Sequence, residues 1–305
     1  MPNSKLIPYI EVFLAVIAWG ASFIATKVAL QDISPISIVW LRFTMGVVIL
    51  GFVVVFRRQF ALPNKSEWGY FAILGFLGIT FHQWLQSNGL QTSEASTTAW
   101  IVATTPVFMA LLGWAILKEG LAPLKILGIG LAALGVLIVV TDGDPTSISI
   151  GRFGAPGDIL ILLSAFNWAV FSALSRRGLK NYSATLMIFY VMTFGWFFTS
   201  LAFLTGKNYL EIPHLSLNGW IGITFLGVFC SGLAYIAWYD ALQALSTAET
   251  GVFLYIEPLV AVVVAFFILG EPITWASLAG GAIILFGVWV VTQPAQLKKQ
   301  AIYDS

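Results

Sequence analysis

Ten apolar stretches fill this chain, most of them near the roughly 20 residues that a helix needs to cross about 30 Å of hydrocarbon. They are Pro8–Leu30, Pro35–Phe56, Trp68–Leu90, Ala95–Leu117, Pro123–Thr141, Gly157–Leu174, Ser183–Leu204, Asn218–Leu242, Thr247–Leu269 and Ile273–Val291. Charged residues make up only 10% of the 305 positions, against about 25% in a soluble domain. Apolar types reach 59%, more than a single compact core can hide from water. The chain therefore folds in lipid. No run alternates apolar and polar residues with the period of two that a membrane barrel needs. The expected fold class is an all-α polytopic membrane protein of ten transmembrane helices.

The same composition excludes whole classes of function. A soluble enzyme is out, and a net charge of +1 without a basic tract argues against nucleic acid as a partner. One cysteine, Cys230, allows neither an internal disulfide nor a cysteine-clustered metal site. His82 and His214 are the only histidines, and His214 falls in a loop, so no histidine metal site is expected. HExxH, GxSxG and P-loop patterns are absent, and nothing calls for a cofactor. The expected partners are a small-molecule substrate and the lipid bilayer. Small residues on the peripheral helices permit a homodimer and equally a monomer.

Lysine and arginine placement orients the bundle. With the N-terminus inside, eleven of these residues fall on the inner side and only Arg152 and Lys207 on the outer, while Lys27 and Arg42 lie within spans. Both termini are expected in the cytoplasm, in a plasma membrane such as the bacterial inner membrane. The first run exceeds 20 residues, contains Trp19 and Lys27 and lacks a small-residue cleavage site, so it is expected to stay as a span.

The chain also resembles itself. A shift of 152 residues brings Trp68 onto Trp220, Gly75 onto Gly227, Pro106 onto Pro258, Glu119 onto Glu271 and Gly128 onto Gly280; a shift of 149 brings Trp19 onto Trp168. A register shared over three consecutive helices points to duplication. The expected repeats cover residues 8–141 and 157–292, joined by a Gly/Pro/Asp/Ser-rich segment. Five spans are odd in number, so the second copy enters the membrane inverted, as in many secondary transporters.

Several polar residues lie at membrane depth, where an ionisable group needs a partner or a cavity. Glu257 sits mid-membrane beside Pro258. It either meets a substrate ammonium or a proton, or pairs with Arg42 and caps broken backbone. Arg42 either clamps a substrate carboxylate with its planar fork or serves a structural or gating role. His82 and Gln86, one turn apart, share a face that suits a cavity lining. Trp19, Trp100, Trp168 and Tyr235 lie deeper than the interfacial belt and, with nearby hydroxyls, suit a pocket for a partly apolar solute. Pro106 and Pro258 occupy matching positions and are expected hinges or static kinks. Glu119 and Glu271 are expected to be solvated residues at span ends, Lys27 to snorkel, and Asp240 to be an exposed loop charge.

These residues resemble a known family. Trp19-Gly20-Ala21-Ser22-Phe23 is similar to the first-span signature of the EamA branch of the drug/metabolite transporter superfamily, and Pro35 with Leu41-Arg42-Phe43 to its second-span pattern. Pro106 with Lys118-Glu119, and Glu257-Pro258 with Leu269-Gly270-Glu271, resemble its paired proline-to-glutamate motifs. The second half departs from the pattern, with Tyr190-Val191-Met192 where the first has Arg42. The resemblance implies a basket of helices around a central cavity, with the fifth and tenth helices peripheral. It implies export of amino acids and related metabolites, other branches carrying nucleotide sugars, phosphorylated sugars or drugs. The abundance of aromatic residues is similar to that of YddG-type exporters of aromatic amino acids. A membrane receptor stays as an alternative.

Overall fold

The computed structural model describes residues 6–117, 123–144, 154–245 and 253–293. They form ten helical rods, and among the described residues there is no strand. The first two are α1 (Leu6–Ala29) and α2 (Pro35–Phe56). Then come α3 (68–89), α4 (95–117) and α5 (Pro123–Val140). The second set is α6 (Pro156–Asn181), α7 (Ala184–Thr205), α8 (217–244), α9 (254–269) and α10 (Trp275–Thr292). Eight of the ten are long and apolar enough to cross a membrane. Of the other two, α9 is a shorter apolar helix, and α3 ends in the polar stretch His82–Gly89. The protein is an all-α polytopic membrane protein.

Packing joins the first five helices to the last five. Helix α1 lies on α8 and α9, α2 on α7 and α8, α3 on α6 and α7, α4 on α6 and α9, and α5 on α10. The α5–α10 pair is held by glycines. A Cβ on Gly128 would meet the Gly287 carbonyl at 2.7 Å, and one on Gly135 would meet the Gly280 carbonyl at 2.6 Å. Small residues let backbones meet this closely, where dispersion and backbone contacts can replace a hydrophobic drive that lipid does not supply. Because Gly128 matches Gly280 and Gly135 matches Gly287 in the 152-residue register, each contact pairs non-equivalent positions of that register. These glycines of the peripheral helices are thus occupied within the chain. Large apolar side chains such as Phe52, Phe56, Phe197, Phe267 and Trp275 stay exposed, as a lipid-facing belt must.

Four rods are irregular, at matching places. Helices α3 and α8 each contain a π-helical stretch, Phe76–Phe81 and Phe225–Leu233. Helix α4 breaks between Ala95–Val102 and Thr105–Leu117, and α9 passes from a 3-10 turn, Leu254–Ile256, into Glu257–Leu269. In α4 the hydroxyls of Thr104 and Thr105 donate to the carbonyls of Ile101 and Val102, at 2.6 and 2.7 Å, engaging backbone beside the break. Pro106 and Pro258 therefore do not kink continuous helices. Each stands in the first turn of a new segment, where its missing N–H costs nothing.

Candidate functional site in the bundle centre

Both π-helical stretches offer a carbonyl to the other half of the chain. The Trp19 indole N–H on α1 donates to the Cys230 carbonyl of α8 at 3.2 Å, and the Asn167 amide on α6 donates to the Leu77 carbonyl of α3 at 2.7 Å. Trp19 also packs edge-on to Tyr235, with ring centroids 5.5 Å apart, and against Trp238 at 5.2 Å. On the far side, the His82 ring lies 4.7 Å from Trp168. Its Nδ1 is 3.2 Å from the Ser164 carbonyl, which only accepts, so Nδ1 carries the proton.

Arg42 bridges these two groups. It is 5% exposed; its Nε donates to the Ser231 hydroxyl and its Nη1 to the Gln83 carboxamide oxygen, each at 3.0 Å. Its guanidinium carbon stands 5.1 Å from the centre of the Phe43 ring. Among the described residues no ion pair joins it to a carboxylate, so the pairing with Glu257 that was one of the two alternatives is not formed. Glu257 begins the second segment of α9, only partly buried, and its carboxylate has no hydrogen-bond or ion-pair partner among the described residues. Gly20 allows α1 to meet α9 there, because a Cβ on Gly20 would stand 2.6 Å from the Glu257 carbonyl.

The structure thus gathers Trp19, Arg42, His82, Trp168, Tyr235 and Glu257 around one polar centre. Gln86 follows His82 by one turn, half-buried and without a side-chain partner among the described residues. Trp100 does not join them. It is 1% exposed, donates from Nε1 to the Ser277 hydroxyl at 3.0 Å and lies flush on Gly281 of α10. Its hydroxyl-bearing surroundings made it resemble a pocket residue, but they are interhelical packing. Gln83 was missed from sequence, although a membrane-buried arginine needs a nearby acceptor and His82-Gln83 stands in the most polar part of any span.

Charged ties stand at both ends of the bundle. At the end where α1 finishes, Glu271 is 8% exposed rather than solvated. It accepts from the backbone N–H groups of Ala95 and Ser96, at 2.8 and 3.0 Å, and from the Ser96 hydroxyl at 2.7 Å. Helix α4 lacks a side-chain cap of its own, and Glu271 supplies the anion its N-terminus favours. Lys27 pairs with Glu271 at 3.3 Å instead of snorkelling. Burial works to raise the Glu271 carboxyl, but the Ser96 and Ala95 amides, the Ser96 hydroxyl and Lys27 together hold it below its ordinary value. Glu119, its counterpart in the repeat, lies outside the described residues. A cavity of about 500 Å³ opens beside this tie, lined by Lys27, Gln31, Gln91 and Glu271 among others, and none of the central cluster lines it. At the opposite end Asp240, expected as an exposed loop charge, receives both Nη groups of Arg57 at 2.7 and 2.6 Å. That tie joins α2 to α8.

Comparison with known proteins gives this arrangement its context. A protein of Archaeoglobus fulgidus named an uncharacterized transporter is 28% identical over 95% of this chain and 98% of its own. The uncharacterized transporters YyaM and YdfC of Bacillus subtilis are 25% and 27% identical, over 92% and 88% of this chain and 92% and 86% of theirs. A crystal structure of 18% identity superposes with a TM-score of 0.66 over 95% of this chain and 97% of that one, a likeness of fold. The model of the EamA-like transporter family matches twice, at residues 6–141 and 155–293. With both matches together spanning nearly the whole chain, this membrane protein belongs to the EamA-like transporter family.

Proposed function

We propose that this transporter carries amino acids, aromatic ones included, out of the cell by alternating access through the bundle centre. The observation that carries the reading is a pair of opposite charges at membrane depth that do not neutralise each other. Arg42 is held by neutral acceptors, and the Glu257 carboxylate has no partner among the described residues. A buried charge such as that of Arg42 is normally paired, and leaving it without a counter-charge is expensive. A zwitterion completes both, its carboxylate at Arg42 and its ammonium at Glu257, with Trp19, Trp168 and Tyr235 beside its side chain. Such a mixture of apolar walls and few convergent polar groups suits a small organic solute.

The two halves are read as inverted copies that exchange conformations around this site. With both termini cytoplasmic, as the lysine and arginine distribution favours, the Lys27–Glu271 tie faces outward and the Arg57–Asp240 tie inward. Pro106 and Pro258, at the breaks of α4 and α9, are the hinges. The test is uptake of labelled phenylalanine, threonine and a nucleoside into proteoliposomes, with and without an imposed pH gradient. Saturable flux of the amino acids is expected. Exclusion of both amino acids by folded protein would overturn the amino-acid reading.

A further inference from the structure

Arg42 is an anomalous ionisable group among the described residues. Its guanidinium is almost wholly buried, yet every partner it has is uncharged: a hydroxyl, a carboxamide oxygen and an aromatic face. Cys230 and Tyr235, its nearest titratable neighbours with His82, are groups whose ordinary protonation leaves them neutral near pH 7. The positive charge is thus kept whole rather than cancelled by the protein.

Geometry fixes where that charge points. Nε is tied to α8 through Ser231 and Nη1 to α3 through Gln83, so the planar group is clamped between helices of opposite halves. Nη2 carries no partner among the described residues. Among the described residues, the buried polar atoms left unsatisfied are the hydroxyls of Ser87, Thr98 and Thr185, so Nη2 opens onto accessible space. A guanidinium pinned at two nitrogens and free at the third presents N–H groups in a set direction, which suits a planar anion.

We infer that Gln83 and Ser231 are positioning residues that hold Arg42 as a receptor for the solute's carboxylate, making a carboxylate a requirement of transport; this rests on the amino-acid reading above. Neutral acceptors are essential to the device, because an acidic residue in place of Gln83 would supply the missing counter-charge itself. Amines without a carboxylate leave Arg42 uncompensated and are poor substrates.

The experiment measures competition by phenylalanine and by phenylalaninamide against labelled phenylalanine uptake in proteoliposomes, for wild type, Gln83→Glu and Ser231→Ala. Wild type is expected to prefer the acid over the amide by about ten- to a hundredfold, the worth of one charge-assisted hydrogen bond. Gln83→Glu should bring that ratio close to one, and Ser231→Ala should lower it partway. A structural role alone would reduce flux without moving the ratio. Should Gln83→Glu fail to fold, Ser231→Ala and Gln83→Asn decide, an unchanged ratio in both overturning the inference. If wild type carries phenylalanine but ignores the difference between acid and amide, the carboxylate receptor is wrong and the amino-acid reading stands. If wild type carries no amino acid, that reading falls. The receptor is then judged by quenching of tryptophan fluorescence with benzoate against benzamide. A benzoate preference lost in Gln83→Glu upholds it, and equal quenching overturns it.

Discussion

Trp100 and Glu257 show how differently two membrane-depth residues are used. Trp100 fills the seam between α4 and α10, so Trp100→Ala should leave a cavity and destabilise the protein by about 3–5 kcal/mol. Thermal unfolding in detergent reads that loss, while the affinity of the folded fraction for its solute should be unchanged. Glu257 has no partner to lose among the described residues. Glu257→Gln should therefore leave the melting temperature nearly in place and lower amino-acid flux by about tenfold or more, one charge-assisted contact being worth about 1.5–3 kcal/mol. Flux at the wild-type level would remove Glu257 from the site. The sequence marked both residues as polar or amphipathic groups at depth. Whether an indole meets a serine across a helix seam or faces a cavity depends on helix rotation, which periodicity does not fix in spans that are apolar all round.

The helices make their own predictions. Along α5, Gly128 meets the Gly287 backbone while Gly130 faces nothing within 4 Å. Gly128→Leu should overpack the α5–α10 seam and cost about 1–3 kcal/mol or more, whereas Gly130→Leu should stay within about 0.5 kcal/mol. Equal effects in unfolding assays would mean the two helices do not pack as described. The Arg57–Asp240 tie offers a second test. In a Cys230→Ser background, a disulfide between Arg57→Cys and Asp240→Cys should arrest flux, and reductant should restore it. Flux through the oxidised protein would show that α2 and α8 need not separate there. Ten helical stretches, the glycine register and the matched prolines were legible because they recur at fixed spacing. The π-helical stretches were not, since the side chains that meet their carbonyls, Trp19 at Cys230 and Asn167 at Leu77, come from distant helices.

Across the whole molecule, glutamates of the second half hold helix starts of the first. Glu271 caps α4. Glu211 accepts from the Ser34 N–H at 2.8 Å and the Ser37 hydroxyl at 2.7 Å at the start of α2. Burial works to raise the Glu211 carboxyl too, but the Ser34 amide, the Ser37 and Ser34 hydroxyls and Asn208 hold it below its ordinary value. A carboxyl depressed in the folded state contributes stability above its unfolded pKa of about 4.3, lost as pH falls through the lower folded value. Melting temperature should accordingly drop below about pH 4.3, and Glu211→Gln with Glu271→Gln should flatten that acid limb while lowering the neutral-pH plateau. An acid limb unchanged in the double variant would place the pH sensitivity elsewhere.

What the sequence determined by itself was the solvent and the all-helical, polytopic class of the fold. Those follow from hydrophobic run length and from spacing, which are properties of the chain taken in order. Tertiary structure decided which polar groups meet. Arg42 lies 41 residues from Gln83 and 189 from Ser231, while Glu271 lies 176 from the amide it caps. In lipid every buried polar group must find a partner inside the protein or a cavity. The search runs across helices rather than along them, so the partners are fixed only when the helices pack.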